Sequence, residues 1–274
     1  MDMLLLGKSL VMGLVEGLTE FLPVSSTGHL IITGSLLDFL QKGQRDVFEI
    51  FIQLGAILAV CWEYRVKLYN VARGLAGDGG ARRFTFNVGL AFLPAAFTGL
   101  LLAKTIKAHL FFPGPVAGAF ILGGLVILWA ERRDHKVRVN DVDSMTWKDS
   151  LAVGLAQCFA LIPGMSRSAS TIIGGLLFGL SRKAATEFSF FLAIPTLTAA
   201  ALYDLLKHRA SLDSGMTALL AAGFIMSFLC ALVAVRGLLR YISRHDFSVF
   251  AWYRIAFGGL VLATAYWGLV DWSR

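Results

Sequence analysis

Charged residues are scarce in this chain of 274 residues. Asp, Glu, Lys and Arg make up 16% of it and hydrophobic residues 57%, against roughly 25% and 45–50% in an average soluble protein. So little charge excludes an ordinary soluble globular domain, because such a domain needs a polar outer face. Several uncharged runs approach the roughly 20 residues that a helix needs to cross the hydrocarbon core of a bilayer. The composition therefore predicts an all-α polytopic membrane protein.

Cysteine is rare as well, with three residues at Cys61, Cys158 and Cys230. They lie far apart in apolar sequence, without a C-x-x-C pair or nearby histidines, which argues against a disulfide framework and against a zinc site. We expect no cleavable signal peptide, because Asp2 precedes the first apolar stretch and two glutamates interrupt its continuation. The sequence also lacks a long linker or low-complexity tract, so we expect one membrane domain over residues 1–274.

Six transmembrane helices are predicted, at about residues 47–66, 84–104, 113–131, 184–206, 216–238 and 248–270. Two further apolar regions, 4–40 and 147–181, are each interrupted by a proline followed by a polar cluster, at Pro23 and Pro163. Proline removes a helical hydrogen bond, so each region should split into two half-helices. Broken backbone at membrane depth is tolerated only where protein buries it or where it lines a wet cavity. We therefore predict two re-entrant hairpins beside the six spans.

The two halves of the chain resemble each other weakly. They share a spacing of Gly, Pro and Ser around each break, with Gly13, Pro23 and Ser26 in the first half and Gly154, Pro163 and Ser166 in the second. Residues 49–54 also parallel 187–192. Each half, 4–131 and 147–270, is then a hairpin followed by three spans, and the odd number of crossings inverts the second copy. Such an inverted repeat places a binding site near the midplane, where the two broken elements meet.

The formal net charge of +7 is explained by sidedness. If the loops at 65–83, 131–148 and 236–246 are cytoplasmic, they place 13 basic residues inside, Arg182 and Lys183 bring the total to 15, and 8 lie outside, as the positive-inside rule requires. Both termini then face out, the first hairpin enters from outside and the second from inside. This distribution makes a nucleic-acid partner unnecessary and leaves membrane lipids as the surroundings of the chain.

Ionisable groups within apolar segments are functional candidates, because each costs on the order of 2.5–3.5 kcal/mol at the centre of a membrane helix. The first hairpin carries Glu16, Glu20 and His29, and the second carries Arg167. Glu16 and Glu20 are four residues apart, which places both carboxylates on one helical face. Two adjacent carboxylates in a poor dielectric favour a proton, a cation or a hard metal ion.

The polar cluster of the first break predicts an anion site with a reactive hydroxyl. Ser25, Ser26 and Thr27 can cap the second half-helix, whose first N–H groups then point into the break. His29 follows Ser26 by three residues, so one helical turn could bring its imidazole beside the hydroxyl. A hydroxyl with a base at hydrogen-bond distance is the minimal unit for nucleophilic or general-base chemistry.

The second break repeats this logic with a fixed cation. The planar guanidinium of Arg167 matches phosphate oxygens, and hydroxyls surround it at Ser166, Ser168, Ser170 and Thr171. Facing helix starts, an arginine and a row of hydroxyls predict a site for phosphate or diphosphate. Simpler interpretations stay open: the hydroxyl run as a helix cap alone, the glutamates at the membrane interface, and Arg167 or Arg254 snorkelling to headgroups.

Residues 16–29, EGLTEFLPVSSTGH, and 163–171, PGMSRSAST, resemble the motifs of the bacterial undecaprenyl-diphosphate phosphatase family, also called bacitracin-resistance proteins. The resemblance extends over essentially the whole chain in length and span order. Family members often carry Phe, Gly and Ala where this chain has Met165, Ala169 and Ser170. These are small changes that leave every expected phosphate contact in place.

The resemblance implies hydrolysis of a polyprenyl diphosphate lipid, undecaprenyl diphosphate, to the monophosphate and inorganic phosphate. This reaction recycles the lipid carrier for cell-wall synthesis and confers bacitracin resistance. The resemblance also implies a divalent metal ion, Mg²⁺ or Ca²⁺, a location in the bacterial inner (plasma) membrane, and a site that opens to the periplasmic or outer face.

The resemblance further implies roles for the candidate residues. Ser26 would be the nucleophile or a phosphate ligand, His29 the base or acid, and Arg167 the clamp on the phosphoryl oxygens. Glu16 and Glu20 would hold the metal or orient water. Supporting donors would be Ser25, Thr27, Ser166, Ser168 and Thr171. Whether Ser26, His29 or water attacks the phosphorus is left open, because all three routes satisfy the need for positioning and charge neutralisation.

A secondary transporter or lipid flippase for a phosphorylated polyprenyl lipid is the alternative function, because transporters also use inverted, broken hairpins. A base beside the Ser26 hydroxyl argues for chemistry, since transport alone needs none. The oligomeric state is open, a homodimer included.

Overall fold

A computed structural model describes residues 3–207 and 216–270 of the protein, and its regular structure is helical. The described residues form eleven α-helices: α1 Met3–Thr19, α2 Ser26–Leu36, α3 Lys42–Glu63, α4 Arg65–Gly74, α5 Gly79–Leu110, α6 Pro113–Glu131, α7 Trp147–Gln157, α8 Arg167–Leu177, α9 Arg182–Lys207, α10 Thr217–Ile242 and α11 Ser248–Tyr266. Two short 3₁₀ turns add Val142–Ser144 and Cys158–Leu161. The predicted all-α class is confirmed.

Five described helices are long and apolar enough to cross a membrane: α5 over Gly79–Leu102, and α6, α9, α10 and α11. The first predicted span, 47–66, falls on α3, which meets the same criteria only together with α4, and the two helices are bent by 75° where they join. The first two turns of α3 contain Arg45, Asp46 and Glu49, so this helix begins with charged residues. The protein is therefore a multi-pass membrane protein with five or six candidate spans.

The segment predicted as the first cytoplasmic loop, 65–83, is partly helical. Its helix α4 contains no buried residue, and α5 begins ahead of the predicted residue 84. The Asp78 carboxylate accepts hydrogen bonds from the N–H groups of Gly80 and Ala81, each at 3.0 Å, and these bonds lower the pKa of Asp78. This cap lets α5 start within a charged stretch that the sequence alone assigned to a loop.

Both predicted breaks are present, at 20–25 between α1 and α2 and at 158–166 between α7 and α8. The residue that immediately precedes the second half-helix is a serine with positive φ in each break, Ser25 at 68° and Ser166 at 71°. Non-glycine residues rarely adopt this backbone conformation, and it costs on the order of 1–3 kcal/mol. Ser25 lies at the same spacing from Gly13 as Ser166 does from Gly154. The structural counterpart of Ser166 is therefore Ser25, and the predicted pairing with Ser26 is off by one residue.

The hairpin of each half packs against a helix of the other half. Helix α1 packs on α10, and helix α7 packs on α5. Helix α10 is also contacted by α3, and helix α5 is also contacted by α9. A Cβ atom on Gly13 would collide with the backbone of Gly223, and one on Gly154 would lie 2.5 Å from the carbonyl oxygen of Ala91. Glycine at these two crossings lets the helix backbones touch. Helix α6 packs on α11 and α3 packs on α9, which adds two further contacts between the halves.

Candidate active site

The two breaks meet, as the sequence predicted. The Ser168 hydroxyl donates to the carbonyl oxygen of Leu22 at 2.7 Å. One guanidinium nitrogen of Arg167, Nη2, lies 3.4 Å from Oε1 of Glu20. The side chains of this ion pair are only 9% and 6% exposed, respectively. The cation of the second hairpin and a carboxylate of the first therefore share one buried pocket.

The first break provides a hydroxyl bonded to a carboxylate. The Ser26 hydroxyl donates to Oε2 of Glu20 at 2.6 Å, so Glu20 contacts both Ser26 and Arg167. Glu16, one turn earlier on α1, is 1% exposed. Neither of its oxygens has a hydrogen-bond partner within residues 3–207 and 216–270. Glu16 is thus a buried carboxylate whose charge no described donor satisfies.

Both ring nitrogens of His29 bond to groups other than the Ser26 hydroxyl, so the predicted hydrogen bond between these two residues is wrong. Its Nδ1 lies 2.7 Å from the carbonyl oxygen of Ser25, and its Nε2 lies 2.6 Å from the hydroxyl of Tyr253. A carbonyl can only accept, so Nδ1 carries the proton, and in the neutral ring Nε2 accepts from Tyr253. The ring also stacks on Phe257, with centroids 3.9 Å apart. The spacing of three residues was compatible with the predicted contact, but the Ser26 hydroxyl turns to Glu20 and the imidazole to the carbonyl of Ser25.

Arg167 is held by α9 rather than snorkelling to the membrane surface. Its Nη1 donates to the carbonyl oxygen and the hydroxyl of Ser189, at 3.0 and 3.2 Å. The guanidinium lies over the ring of Phe21, 5.6 Å from its centroid. Its Nε is buried and has no partner in the described chain. This unused donor, with the long 3.4 Å contact to Glu20, leaves Arg167 able to bind an anion.

Most of the predicted phosphate donors are engaged in holding the second break. The Ser166 hydroxyl accepts from the N–H of Ala169 at 3.2 Å and lies 3.0 Å from the hydroxyl of Ser168. The Thr171 hydroxyl lies 2.7 Å from that of Ser189 and donates to the carbonyl oxygen of Arg167 at 2.9 Å. These hydroxyls position Arg167 and the start of α8.

The hydroxyl run of the first break does not form the predicted cap. Ser25 is the residue that precedes α2, yet its side chain makes no capping hydrogen bond to a described residue. Thr27 is exposed and takes no part in the hydrogen bonds described around the pocket. The first N–H groups of α2 therefore have no side-chain cap, which leaves a helix start suited to an anion.

Two residues around the site, Ser189 and Tyr253, were not predicted, and for Arg254 the sequence left both snorkelling and a functional role open. Arg254 is fully buried, which rules out snorkelling. It donates to the carbonyl oxygens of Pro23, Ala119 and Gly164 at 3.3, 3.1 and 2.9 Å. A charge within an apolar span was the only sequence signal for Arg254, and it did not distinguish snorkelling from a functional role. Ser189 and Tyr253 carry no local signal, since each acts through a partner far away in the chain.

Glu16 has carboxylate oxygens available for a divalent cation, whereas both oxygens of Glu20 are engaged with Ser26 and Arg167. Glu16 has two unsatisfied buried oxygens, and Glu20 and Glu49 are the acidic groups that act on it electrostatically. In the ranges 3–207 and 216–270, no cluster of three or more His, Cys, Asp or Glu side chains could hold a metal. Oxygens from outside the protein would complete the coordination of a hard cation here.

Fold and site together define a multi-pass helical membrane protein in which a serine hydroxyl, two carboxylates and an arginine lie buried together where two broken helices meet. The family described as Bacitracin resistance protein BacA matches residues 9–260. The chain belongs to this family, which confirms the resemblance read from its two motifs.

Similar proteins match over their full length. The chain is 71% identical over 273 residues to Undecaprenyl-diphosphatase 2 of Rhodospirillum rubrum, with 100% of both chains covered. It is 64% identical over 274 residues to Undecaprenyl-diphosphatase of Nitrosospira multiformis, again with 100% of both covered. It is 63% identical over 269 residues to Undecaprenyl-diphosphatase 1 of Chromobacterium violaceum, covering 98% of this chain and 100% of the relative.

Proposed function

We propose that this protein is a membrane-embedded phosphatase that hydrolyses undecaprenyl diphosphate to undecaprenyl phosphate and inorganic phosphate. The names of its full-length relatives support the substrate. The observation that carries the chemistry is the 2.6 Å hydrogen bond from the Ser26 hydroxyl to Glu20, directly beside Arg167. A nucleophile, a base and a cation for the phosphoryl oxygens are the groups that phosphoryl transfer needs.

In the first step the Ser26 oxygen attacks the terminal phosphorus while its proton moves to Glu20. The bond from phosphorus to the bridging oxygen breaks, and undecaprenyl phosphate leaves with the electron pair. Glu20 passes the proton to that oxygen and becomes a carboxylate again. In the second step water attacks the phosphoserine and loses a proton to Glu20, which returns it to the Ser26 oxygen as inorganic phosphate leaves. One water is consumed for each diphosphate cleaved.

The geometry favours Ser26 over His29 as the nucleophile. Both ring nitrogens of His29 are engaged in hydrogen bonds with Ser25 and Tyr253. The Ser26 hydroxyl, in contrast, already donates a hydrogen bond to the carboxylate of Glu20, which can act as its base. His29 thus supports the strained turn at Ser25. Arg167 and the uncapped start of α2 bind the phosphoryl oxygens and neutralise their charge.

Glu16 and Glu20 would hold the divalent metal ion, Mg²⁺ or Ca²⁺, that we propose as cofactor. When bound, such an ion neutralises negative charge on the phosphoryl oxygens. The unsatisfied oxygens of Glu16 support this assignment, since a buried carboxylate without a donor is costly unless a cation or a proton compensates it.

We also propose that the fold has six spans and two re-entrant hairpins in an inverted repeat, with halves at 4–131 and 147–270. The matched positive φ angles of Ser25 and Ser166 support the repeat, as does the exchange of packing partners between the halves. The excess of basic residues in the loops at 65–83, 131–148 and 236–246 supports an orientation with these loops in the cytoplasm. The location in the inner membrane and a site open to the outer face are proposed from the family resemblance. Of the residues counted as outer, Arg209 and Arg274 lie outside the described residues.

The test is phosphate release from undecaprenyl diphosphate by the purified chain, compared with S26A and R167A. We expect release by the wild type, and a phosphoserine that forms with the wild type and is absent from S26A. R167A should abolish release while the protein stays folded. Transport of the lipid in liposomes without phosphate release would contradict the proposal and favour a flippase, and so would full activity of R167A.

A further inference from the structure

The buried cation of α11, Arg254, lies in an unusual environment for a charged group. None of the ion pairs between described residues includes it, and its side chain is fully buried. The guanidinium donates to three backbone carbonyl oxygens instead and lies 5.4 Å from the centroid of the Phe120 ring. Burying a charge is costly, and a protein with a hydrocarbon side chain of similar volume at such a position is often no less stable. Fold stability alone therefore does not account for an arginine here.

The carbonyl groups that Arg254 binds identify what it connects. Pro23 belongs to the first break and Gly164 to the second, and each lies two residues before the strained serine, Ser25 or Ser166. The third carbonyl, Ala119, belongs to α6. One side chain thus binds the two broken turns at equivalent points and ties both to a membrane-spanning helix.

Two glycines near Arg254, Gly123 and Gly164, accommodate its guanidinium group. A Cβ atom on Gly123 would collide with it, so the glycine leaves the space that it occupies. Gly164 has φ of +92°, and a Cβ there would lie 2.6 Å from the carbonyl oxygen of Val116. Glycine at 164 therefore allows the backbone to present its carbonyl to Arg254.

The residue before Arg254 acts on the same turn. The Tyr253 hydroxyl bonds to His29, whose other ring nitrogen bonds to the carbonyl oxygen of Ser25. Two consecutive residues of α11 thus hold the first break on both sides of Val24, Arg254 directly and Tyr253 through His29.

We propose that Arg254 is a positioning residue that sets the two breaks relative to each other. Through Pro23 it places the turn that carries Ser26, and through Gly164 the turn that carries Arg167. It thereby makes the two helix starts converge on one phosphoryl group, while its own hydrogen bonds within the described chain go to backbone carbonyl groups and not to Ser26, Glu20 or Arg167. This inference rests on the proposed function for its effect on rate, while its effect on the two turns is independent of the reaction.

The test compares R254M and R254K with the wild type by hydrogen exchange and by kinetics on undecaprenyl diphosphate. In R254M we expect faster amide exchange at 20–27 and 162–168, and a kcat about 100-fold lower at a temperature where the protein is folded, because a shift of about 1 Å can cost that much. KM should change much less. R254K keeps the positive charge but lacks the planar set of guanidinium donors. Its kcat and its amide exchange rates at the breaks should therefore lie between those of R254M and the wild type.

The matched control is S9A, which removes another buried hydrogen bond from a side chain to a carbonyl. Ser9 donates to Leu219 at 2.7 Å and joins α1 to α10 away from both breaks. S9A should lower thermal stability without changing exchange at the breaks or kcat. Should R254M not be recovered in folded form, R254K carries the same comparison.

Wild-type kcat in folded R254M would overturn the proposal. So would exchange that rises evenly along the chain rather than at the two breaks. If the wild type releases no phosphate, the proposed function fails, and exchange at the breaks still decides the positioning role.

Discussion

Replacing Glu20 by glutamine separates its role as a base from its role in the fold. Glutamine has the shape of glutamate, and its amide oxygen can still accept the hydrogen bond from Ser26, but it cannot take up a proton at neutral pH. A positioned base typically contributes a factor of about 10²–10⁴ to the rate. We therefore expect E20Q to lower kcat by at least about 100-fold.

The cost in stability can be worked out from the contacts of Glu20. Removing one partner of a buried ion pair typically costs about 3–5 kcal/mol. The contact with Arg167 is long, at 3.4 Å, and Arg167 keeps two hydrogen bonds to Ser189. Loss of the charge also relieves repulsion with Glu16. We therefore expect E20Q to lose only about 1–2 kcal/mol, below the usual range.

The assay measures kcat for phosphate release together with the thermal unfolding midpoint and the affinity for inorganic phosphate. Affinity should not weaken in E20Q, because Arg167 no longer has to leave a carboxylate to bind the anion. The control is E131Q, which breaks the ion pair between Arg182 and Glu131 away from the breaks and should lower stability without lowering kcat. The role of Glu20 as base is refuted if folded E20Q keeps more than a tenth of the wild-type kcat.

Three further changes test other parts of the structure. Y253F removes the hydroxyl that bonds to His29 at 2.6 Å and should cost about 0.5–1.5 kcal/mol of unfolding free energy; an unchanged melting curve would contradict this contact. G154A places a methyl group against the backbone of Ala91 and should destabilise by about 1–3 kcal/mol, whereas G89A, in open space on α5, should not destabilise, because alanine favours a helix over glycine; equal melting temperatures would argue against the tight crossing of α5 and α7. A chelator should abolish phosphate release, and Mg²⁺ or Ca²⁺ should restore it; release that is indifferent to chelation would exclude the proposed metal.

The breaks could be predicted because their signals are local. Proline and a polar cluster within an apolar run interrupt a helix whatever surrounds them, so α1, α2, α7 and α8 were expected in the right places. Helix ends were less predictable: α5 starts early because Asp78 caps it, and α11 ends at Tyr266 instead of continuing to 270, with Gly268 at positive φ just beyond.

The partners of the site residues could not be predicted, because they depend on backbone conformation and on distant contacts. The spacing of Ser26 and His29 allowed a hydrogen bond, but side-chain orientation at the strained turn decided against it. Glu16, Glu20 and Arg167 were identified as charges in apolar sequence, and the contact between Glu20 and Arg167 follows from the meeting of the breaks. The hydrogen-bond partners of Arg254 are 90 to 231 residues away in the chain. No local sequence pattern indicates such distant partners.

The exchange of packing partners has a consequence for how the protein is made. Helix α1 rests on α10, and about 200 residues separate the two, which a ribosome takes roughly 10–40 s to add. During that interval the face of α1 that carries Gly13 and Gly17 lacks its native contact with α10. Lipid or the insertion machinery must then cover this face of the first hairpin. The pocket exists only after the second half has entered the bilayer. The site can therefore form only after the last helices of the chain have been synthesised.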